Sequence, residues 1–477
     1  MSVGERTTTV GRTEVTQPAE RRAVHVGSLV GAALAAWFGI AGPAWSDTLD
    51  EALVAAYLTN PDLEAARAQL RATDENVPQA LSGFRPSVVG QAGVVMLRGN
   101  NKPEGADQDA SVSVDSKTTS LTVTQNLYAG GGNTAQTSRA ENLVRAGRAQ
   151  LVASEQSVLF NAVQAYTSTW RDRAVLQLAL SNEKVLRRQL QQTQDQFAVG
   201  EVAKTDVAQA EARLAGALAD VEQAKANLAA SDASYKQVIG KAPGKLVDPK
   251  QVGGLPDSLS EAQTVAEANP QIVQATYNLF AARDNVDVAF ANLLPSLDLQ
   301  GELGYEDEPR RGIEWQEAAS IGVTLTVPLY QGGSEYSLVR QNRETAQQRR
   351  SELESANRSV QATVSTAWEQ LLAARAAVTS LETEVRANQI AFEGVYQEQQ
   401  VGLRTVIDVL DAQQDLFQSQ VNLVRAQAAE VTQSYQLRAA TGNLTVVDLG
   451  LAVDPYNPEA YYDRNRTRLF GIDGSAG

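Results

Sequence analysis

The chain carries one structural unit twice, and this duplication restricts its possible folds more than any other feature of the sequence. Pro61 corresponds to Pro270, an offset of 209 residues, and Leu121 corresponds to Val323, an offset of 202 residues. Matches in the same order are not expected by chance, so we predict two structural repeats, residues 47–241 and 258–448. A linker at 242–257 joins them, and a tail at 449–477 follows. The matching stretches are 48–61 with 258–270, 85–87 with 294–296, 121–133 with 323–335, and 199–210 with 401–412.

The N-terminus has the features of an export signal. Two arginines precede an apolar run at residues 26–40, and small residues at 44 and 46 suit a cleavage site. We therefore predict a signal peptide over residues 1–46, with Asp47 first in the mature chain. The alternative is a single N-terminal transmembrane anchor, which fits less well because the run is short for a span. No later apolar run could cross a bilayer as a helix, so membrane insertion would have to use strands.

Each repeat is predicted to contain a β-hairpin with one apolar and one polar face. A helix of about twenty residues leads to each hairpin, at 62–83 and 271–292, and a Pro then stops it. The hairpins, at 87–128 and 296–329, alternate with a period of two in strands of about ten residues, enough to cross a bilayer at a tilt. A soluble hairpin is the alternative. The polar residues expected to line an aqueous barrel lumen are Asp298, Gln300, Glu302, Thr324 and Thr326.

Four strands are too few to form a closed barrel. About eight is the practical minimum, and open sheet edges are not tolerated in lipid. If the strands enter a membrane, the chain must therefore form an oligomer. Two copies would give a barrel filled by its own side chains, whereas three would leave a lumen, and the polar faces favour three. The polar loops at 99–117 and 306–317 are expected outside the cell.

The rest of each repeat is typical of very long helices. Residues 133–196 and 335–400 contain no Pro and almost no Gly. At 1.5 Å per residue each run spans roughly 100 Å. The helices that follow, from Val207 and from Val409, place apolar residues at alternating spacings of three and four, the coiled-coil pattern. The predicted fold is mainly α with a membrane β-barrel portion. A coiled-coil rod, tether or adhesin would explain the seam but not the amphipathic hairpins.

The composition excludes several functional classes. The chain has no Cys and one His, which removes disulfides, thiolate metal sites, a lipidated Cys and most His-based catalysis. A net charge of −15 makes nucleic acid a poor partner. With no metal, nucleotide or phosphate motif, we expect no cofactor and no enzymatic activity. An envelope hydrolase using Asp408 and Asp411 is the alternative, but two acids on one helix face offer no cleft or nucleophile.

The strings VGLRTVIDVLDAQ at 401–413 and VGEVAKTDVAQAEARL at 199–214 are the most specific in the chain. With the duplicated helix–β-hairpin–long-helix pattern, they resemble the TolC-like outer-membrane efflux protein family over residues 47–448. The resemblance implies a homotrimer with a shared twelve-stranded barrel in the Gram-negative outer membrane and an α-helical tunnel reaching into the periplasm. It also implies a periplasmic adaptor (membrane-fusion) protein and an inner-membrane pump or ABC transporter as partners. The duct would serve drug efflux or type I protein secretion, and the sequence does not identify the cargo.

The candidate functional residues lie at the Val-Gly turns between the long helices. Asp408 and Asp411 lie three residues apart on one helix face. The resemblance implies that they line the periplasmic mouth, where three copies would supply six carboxylates that attract cations. The alternative is that both are ordinary solvated acids on a helix surface.

The resemblance also implies how the mouth closes. Arg404 should bridge to Thr205 and Asp206, whereas Gln399 occupies a position that is often aromatic in the family. Glycine permits the backbone of a tight turn between helices. For the tail at 449–477 we derive no function, and we expect it to wrap the tunnel or to be disordered. The end of a hairpin is the part of a long tunnel that meets an inner-membrane partner end-on, so we expect the adaptor to dock there; the alternative is that the glycines serve the turn alone. The residues expected to dock the adaptor are Val199, Gly200, Val401, Gly402 and Leu403.

Overall fold

The computed structural model describes residues 46–101, 104–105, 110–310 and 313–472. Apart from Ser46, the predicted signal peptide lies outside the described residues, as do the turns of both β-hairpins in large part. The helices are α1 (Leu49–Thr59), α2 (Pro61–Asp74), α3 (Asn76–Leu81), α4 (Gly132–Ala198), α5 (Lys204–Ile239), α6 (Leu259–Val265), α7 (Pro270–Ala291), α8 (Ser334–Gln400), α9 (Val406–Ala440) and α10 (Ala460–Asn465). The strands are β1 (Ser46–Asp47), β2 (Ser87–Asn101), β3 (Ala110–Ala129), β4 (Lys245–Leu246), β5 (Ser296–Arg310) and β6 (Ile313–Thr326).

The two hairpins form one antiparallel four-stranded sheet in the order β2-β3-β5-β6. Its strands contain 15, 20, 15 and 14 residues, longer than the ten that we expected from the apolar rows alone. Polar residues beyond the apolar rows continue the ladder, as in the pair Asp307 and Trp315. Most of the segments expected as loops, 99–117 and 306–317, therefore belong to strands.

The sheet has the predicted alternation of faces. Leu297 lies opposite both Tyr128 and Leu325, so one face carries an apolar row across three strands. On the other face Asp298 lies opposite Thr324 and accepts a hydrogen bond of 2.8 Å from the side-chain amide of Asn126. The period of two in the sequence is thus the period of the pleat.

The two longest helices, α4 and α8, contain 67 residues each, which corresponds to about 100 Å. Each begins after a glycine with positive φ, Gly131 at 84° and Gly333 at 87°. The returning helices α5 and α9 pack along them. Small side chains such as Ala210, Ala217 and Ala224 are buried in the seam, which lets the helix backbones approach closely.

The helix expected over residues 62–83 is divided into α2 and α3, with the break at Glu75. Pro78 explains the break: it has no N–H, and its ring conflicts with the carbonyl of Asp74 four residues earlier. The second repeat has no Pro at this place, and α7 is continuous for 22 residues. Closer to the sheet than the returning helices, α4 contacts α2 and α7, and α7 contacts α8. These helices form a layer in the order α2-α4-α7-α8, which matches the strand order β2-β3-β5-β6.

A cluster of buried apolar residues surrounds the middle of α4, and we call it the waist cluster. It joins α1 to α4, α5 and α9 through fully buried side chains that include Leu53, Leu159 and Tyr166. The Tyr166 hydroxyl donates a hydrogen bond of 2.7 Å to the carbonyl of Asp47 in β1, which pairs with β4 of the linker. Within the described residues, no helix is both long and apolar enough to span a membrane.

Candidate functional site

The candidate site lies where each long helix turns into its returning helix. Both turns close with the same hydrogen bonds, in which the residue after the glycine bonds back across five positions, Glu201 to Gln196 and Leu403 to Glu398, each at 2.9 Å. Gly200 and Gly402 have φ of 82° and 79°, which is why glycine is needed there. Three of the predicted docking residues are highly exposed around these turns: Val199, Val401 and Leu403.

Asp408 caps the first turn of α9. Its carboxylate accepts hydrogen bonds from the backbone N–H of Thr405 at 2.9 Å and from the Thr405 hydroxyl at 2.7 Å. These bonds favour the ionised form, and the backbone bond is the main cause that holds the pKa of Asp408 below its ordinary value. In the first repeat, Asp206 accepts a similar bond of 2.9 Å from the N–H of Ala203. Both aspartates therefore have a local role in starting a helix.

Asp411 has a partner on the other hairpin. Its Oδ1 atom lies 2.5 Å from Nη2 of Arg213 on α5, and both side chains are more than one third exposed. Sequence reasoning did not identify Arg213, although it lies inside the string 199–214 that carries the resemblance. No local pattern marks it, because the pair joins helices of different repeats.

Arg404 does not contact its expected partners within the protomer. Its Nε atom lies 2.9 Å from Glu398 at the end of α8, and Asp206 is held by its own helix. A bridge from Arg404 to Thr205 or Asp206 therefore requires a second copy of the chain, and it stays a prediction. Gln399 is buried, and its side-chain oxygen has no hydrogen-bond partner.

The two hairpins are held together close to their tips. Leu186 of α4 and Ala210 of α5 belong to one buried apolar cluster with Val406 and Leu410 of α9. Farther from the turns, the Gln413 side chain donates a buried hydrogen bond of 2.9 Å to Asn182. The tip carboxylates thus lie close to a buried contact between the two hairpins. In the described part of the chain no group of three His, Asp or Glu side chains could hold a metal ion.

The five residues predicted to line a barrel lumen share the polar face of the sheet. The register pairs Asp298 with Thr324, and Thr326 and Glu302 follow on the same face. Gln300 lies opposite Thr124 of β3, which extends the polar row to a third strand. That this face lines an aqueous lumen stays a prediction.

A sheet with one apolar face that continues into helices of about 100 Å, with acidic turns at the far end, fits one class of protein: an outer-membrane channel with a periplasmic tunnel. The chain matches the outer membrane efflux protein family over residues 52–241 and 262–443, and it belongs to that family. It is 36% identical over 432 residues to the outer membrane efflux protein BepC of Brucella suis biovar 1, covering 90% of this chain and 92% of the relative.

Two further similarities agree with this membership. The outer membrane protein TolC of Vibrio cholerae is 29% identical over 416 residues, covering 85% of this chain and 93% of the relative. The solved structure of the outer membrane protein VceC from Vibrio cholerae has a TM-score of 0.72 at 19% identity, covering 83% of this chain and 96% of that one. The predicted family, the fold of barrel and helical tunnel, the outer-membrane location and the role as an efflux or secretion channel are confirmed.

Proposed function

We propose that three copies of the chain form a passive duct that carries substrates from the periplasm to the cell exterior. The observation that carries this proposal is the open sheet: β2 and β6 are its outermost strands, and each has one free edge within the described chain. Hydrocarbon offers no hydrogen bonds to such edges. Pairing β6 of one copy with β2 of the next satisfies them, and three copies close a barrel of twelve strands that leaves a polar lumen.

The tips of the six helical hairpins converge at the periplasmic end of this duct and form its narrow mouth. Asp408 and Asp411 of each copy lie at that constriction and attract cations. Arg213 compensates the charge of Asp411, so the strength of the acidic ring depends on this pair. Arg404 bridges to Thr205 and Asp206 of a neighbouring copy and holds the mouth closed.

The duct has no motor of its own, because the sequence carries no nucleotide-binding motif. Its energy comes from an inner-membrane pump, which a periplasmic adaptor connects to the tunnel. The adaptor docks at the turns around Gly200 and Gly402. Val401 and Leu403 are 70% and 76% exposed there, and apolar side chains exposed in a row are a common mark of a protein interface. The name of the relative BepC supports efflux as the transport process.

The mass and the conductance of the purified protein test this proposal. In mild detergent the mass should be three times that of the mature protomer, and the same fraction should form channels in planar bilayers. Heating should convert the trimer to an unfolded monomer, which is seen as a change in electrophoretic mobility. A monomer that remains stable in the membrane, or a trimer that forms no channel, would show that the open edges serve another purpose.

A further inference from the structure

The C-terminal strap, residues 453–472, runs along α1, α2, α3 and the half of α4 that lies closer to the sheet. Along its length it contacts residues that lie progressively closer to the sheet. On one side these are Tyr57 of α1 and then Glu75, between α2 and α3. On the other side they are Arg148 and then Glu141 of α4. The last contact is a hydrogen bond of 3.1 Å from the Arg85 guanidinium to the carbonyl of Arg468. The strap therefore rises from the waist cluster to the base of the barrel. The strap residues that make these contacts are Tyr456, Glu459, Tyr461, Arg466 and Arg468.

The strap lies on the face of α4 that also carries the waist cluster. Glu141, Arg148, Leu159 and Tyr166 follow one another at spacings of 7, 11 and 7 residues, which places them on one side of a helix. Leu159 and Tyr166 are the waist-cluster residues of this row. Three copies of the waist and the strap would obstruct the duct from inside, so this face is the outer one. This step rests on the proposed function.

The end of the strap lies at the lower boundary of the lipid-facing surface. Arg85 stands two residues before β2, whose first residue, Ser87, pairs with Thr124. The apolar row of Tyr128, Leu297 and Leu325 crosses β3 beyond Thr124, on the side closer to the helices. The row therefore lies at or below the level of Arg85. The apolar surface of the sheet thus reaches down to the height at which the strap ends.

The end of the strap bends at Phe470 and presents apolar side chains. The Arg468 side chain donates a hydrogen bond of 2.9 Å to the carbonyl of Phe470, and Gly471 has a φ of 109°. Leu469, Phe470 and Ile472 are 65%, 88% and 101% exposed, so they contribute nothing to the core of the protomer. Apolar residues that follow arginines at a membrane boundary have the composition of an interfacial anchor.

We propose that the strap inserts Leu469, Phe470 and Ile472 into the periplasmic leaflet of the outer membrane, beside the barrel. Its partner is the boundary between the headgroups and the acyl chains, with Arg466 and Arg468 at the headgroup level. Each copy then has a lipid contact outside the barrel, which fixes the height of the tunnel in the membrane. The competing occupant of this surface is the neighbouring protomer.

Site-directed spin labelling tests this proposal with little background, because the chain has no Cys. Phe470→Cys trimers are labelled and reconstituted in vesicles of phosphatidylethanolamine and phosphatidylglycerol. Collision rates of the label with oxygen, which concentrates in lipid, and with a water-soluble nickel chelate report its surroundings. Matched controls are Ile321→Cys on the sheet, Leu403→Cys at the tunnel tip and Asp454→Cys at the lower end of the strap; all three side chains are exposed.

The label at residue 470 should match the control at 321, with oxygen collisions several-fold above nickel collisions, whereas 403 and 454 should show the reverse. A label at 470 that behaves like 403 overturns the proposal. A label that is immobilised and reached by neither reagent overturns it too, since that result assigns the surface to the neighbouring protomer. Channel activity of the same trimers is measured in parallel. Loss of trimers and channels would instead contradict the proposed function.

Discussion

Asp408 and Asp411 are three residues apart on α9, yet their carboxylates have different partners. Asp408 is bound to the first turn of its own helix, whereas Asp411 pairs with Arg213 of the other hairpin. Of the two acids, only Asp411 has a close cation on the neighbouring hairpin. The negative charge of Asp408 is therefore not compensated from that side. This difference allows the contributions of the two residues to be separated by experiment.

The double variant Asp408→Asn with Asp411→Asn should lose most of the cation preference and the block by trivalent cations at the periplasmic side. In the proposed trimer, three copies of each acid would concentrate cations at the constriction, more strongly at low salt because screening is weaker. Asn retains an oxygen that can cap α9, so assembly should be unaffected. Planar-bilayer recordings of purified trimers measure both effects. An unchanged preference and an unchanged block would place the acids on the outer wall.

Arg213→Asp should raise the conductance of the closed channel, because it replaces the attraction to Asp411 by repulsion between the two hairpins. The exposed pair contributes at most about 1 kcal/mol in each copy, but symmetry repeats it three times. The charge swap, Arg213→Asp with Asp411→Arg, should return the conductance close to that of the native channel. Lys225→Gln is the matched control, since Lys225 pairs with Glu222 on its own helix. If the charge swap does not restore the native conductance, the Arg213–Asp411 pair does not hold the channel closed.

Asp74 should make stability depend on pH. It is 2% exposed, neither carboxylate oxygen has a hydrogen-bond partner, and burial raises its pKa from 3.8 to about 6. The folded state therefore holds this proton more tightly than the unfolded state, so stability falls as pH rises from about 4 to 6 and is constant above. The loss is up to about 3 kcal/mol per protomer.

Asp74→Asn should remove this loss. Thermal unfolding followed by circular dichroism at pH 5 and pH 7.5 should show a higher midpoint for the variant at pH 7.5 and a smaller difference at pH 5. Asp454→Asn, at an exposed position, is the control. An equal shift at both pH values would mean that the variant acts through packing and not through the proton.

At the scale of elements, the turn between α8 and α9 combines a backbone requirement with an exposed surface. Gly402 has a φ of 79°, and a side chain built on it would meet no atom within 4 Å. A side chain there has room but is strained by about 1–2 kcal/mol in the left-handed region. A larger residue at 402 should therefore alter the shape of the tip and leave the distant sheet unchanged.

Gly402→Leu should abolish export without loss of the trimer, because the proposed docking site of the adaptor lies at this turn. Complementation of a strain that lacks the channel measures export, and the heat-modifiable mobility of the trimer measures assembly. Gly394→Leu is the control, since Gly394 lies within α8, where the helix accepts a side chain and space is open. Normal export by the Gly402 variant would contradict docking at the turn.

At the scale of the whole molecule, a layer of helices continues the strands of the sheet, so in the proposed duct the hairpin turns of the sheet and the tips of the helices should lie on opposite sides of the outer membrane. Epitope tags inserted at Glu104–Gly105, in the turn after β2, should be accessible to antibody on intact cells. Tags at Gly200 and Gly402 should become accessible only after the outer membrane is permeabilised. Labelling of all three sites on intact cells would mean that the orientation is reversed or that the sheet does not span the membrane.

The sequence by itself determined the repeated architecture. Periods of two and of three to four are local properties, and they persist for whole strands and helices, so the faces of β5 and the seams of α5 and α9 follow from them. The break between α2 and α3 was also encoded, by Pro78, although the prediction of one helix over 62–83 overlooked it. The strand lengths were underestimated because polar residues paired beyond the apolar rows.

Only the tertiary structure decided which side chains meet across the repeats. Arg213 and Asp411 are 198 residues apart, and Arg85 and Arg468 are 383 residues apart, so no local pattern connects them. Such contacts depend on how α4, α5 and α9 pack and on where the strap runs along α2 and α4. Periodicity determines which face of a helix is buried, but the partner on that face is selected by packing between distant segments. For this reason the pairing of Arg213 with Asp411 and the course of the strap became visible only in the fold.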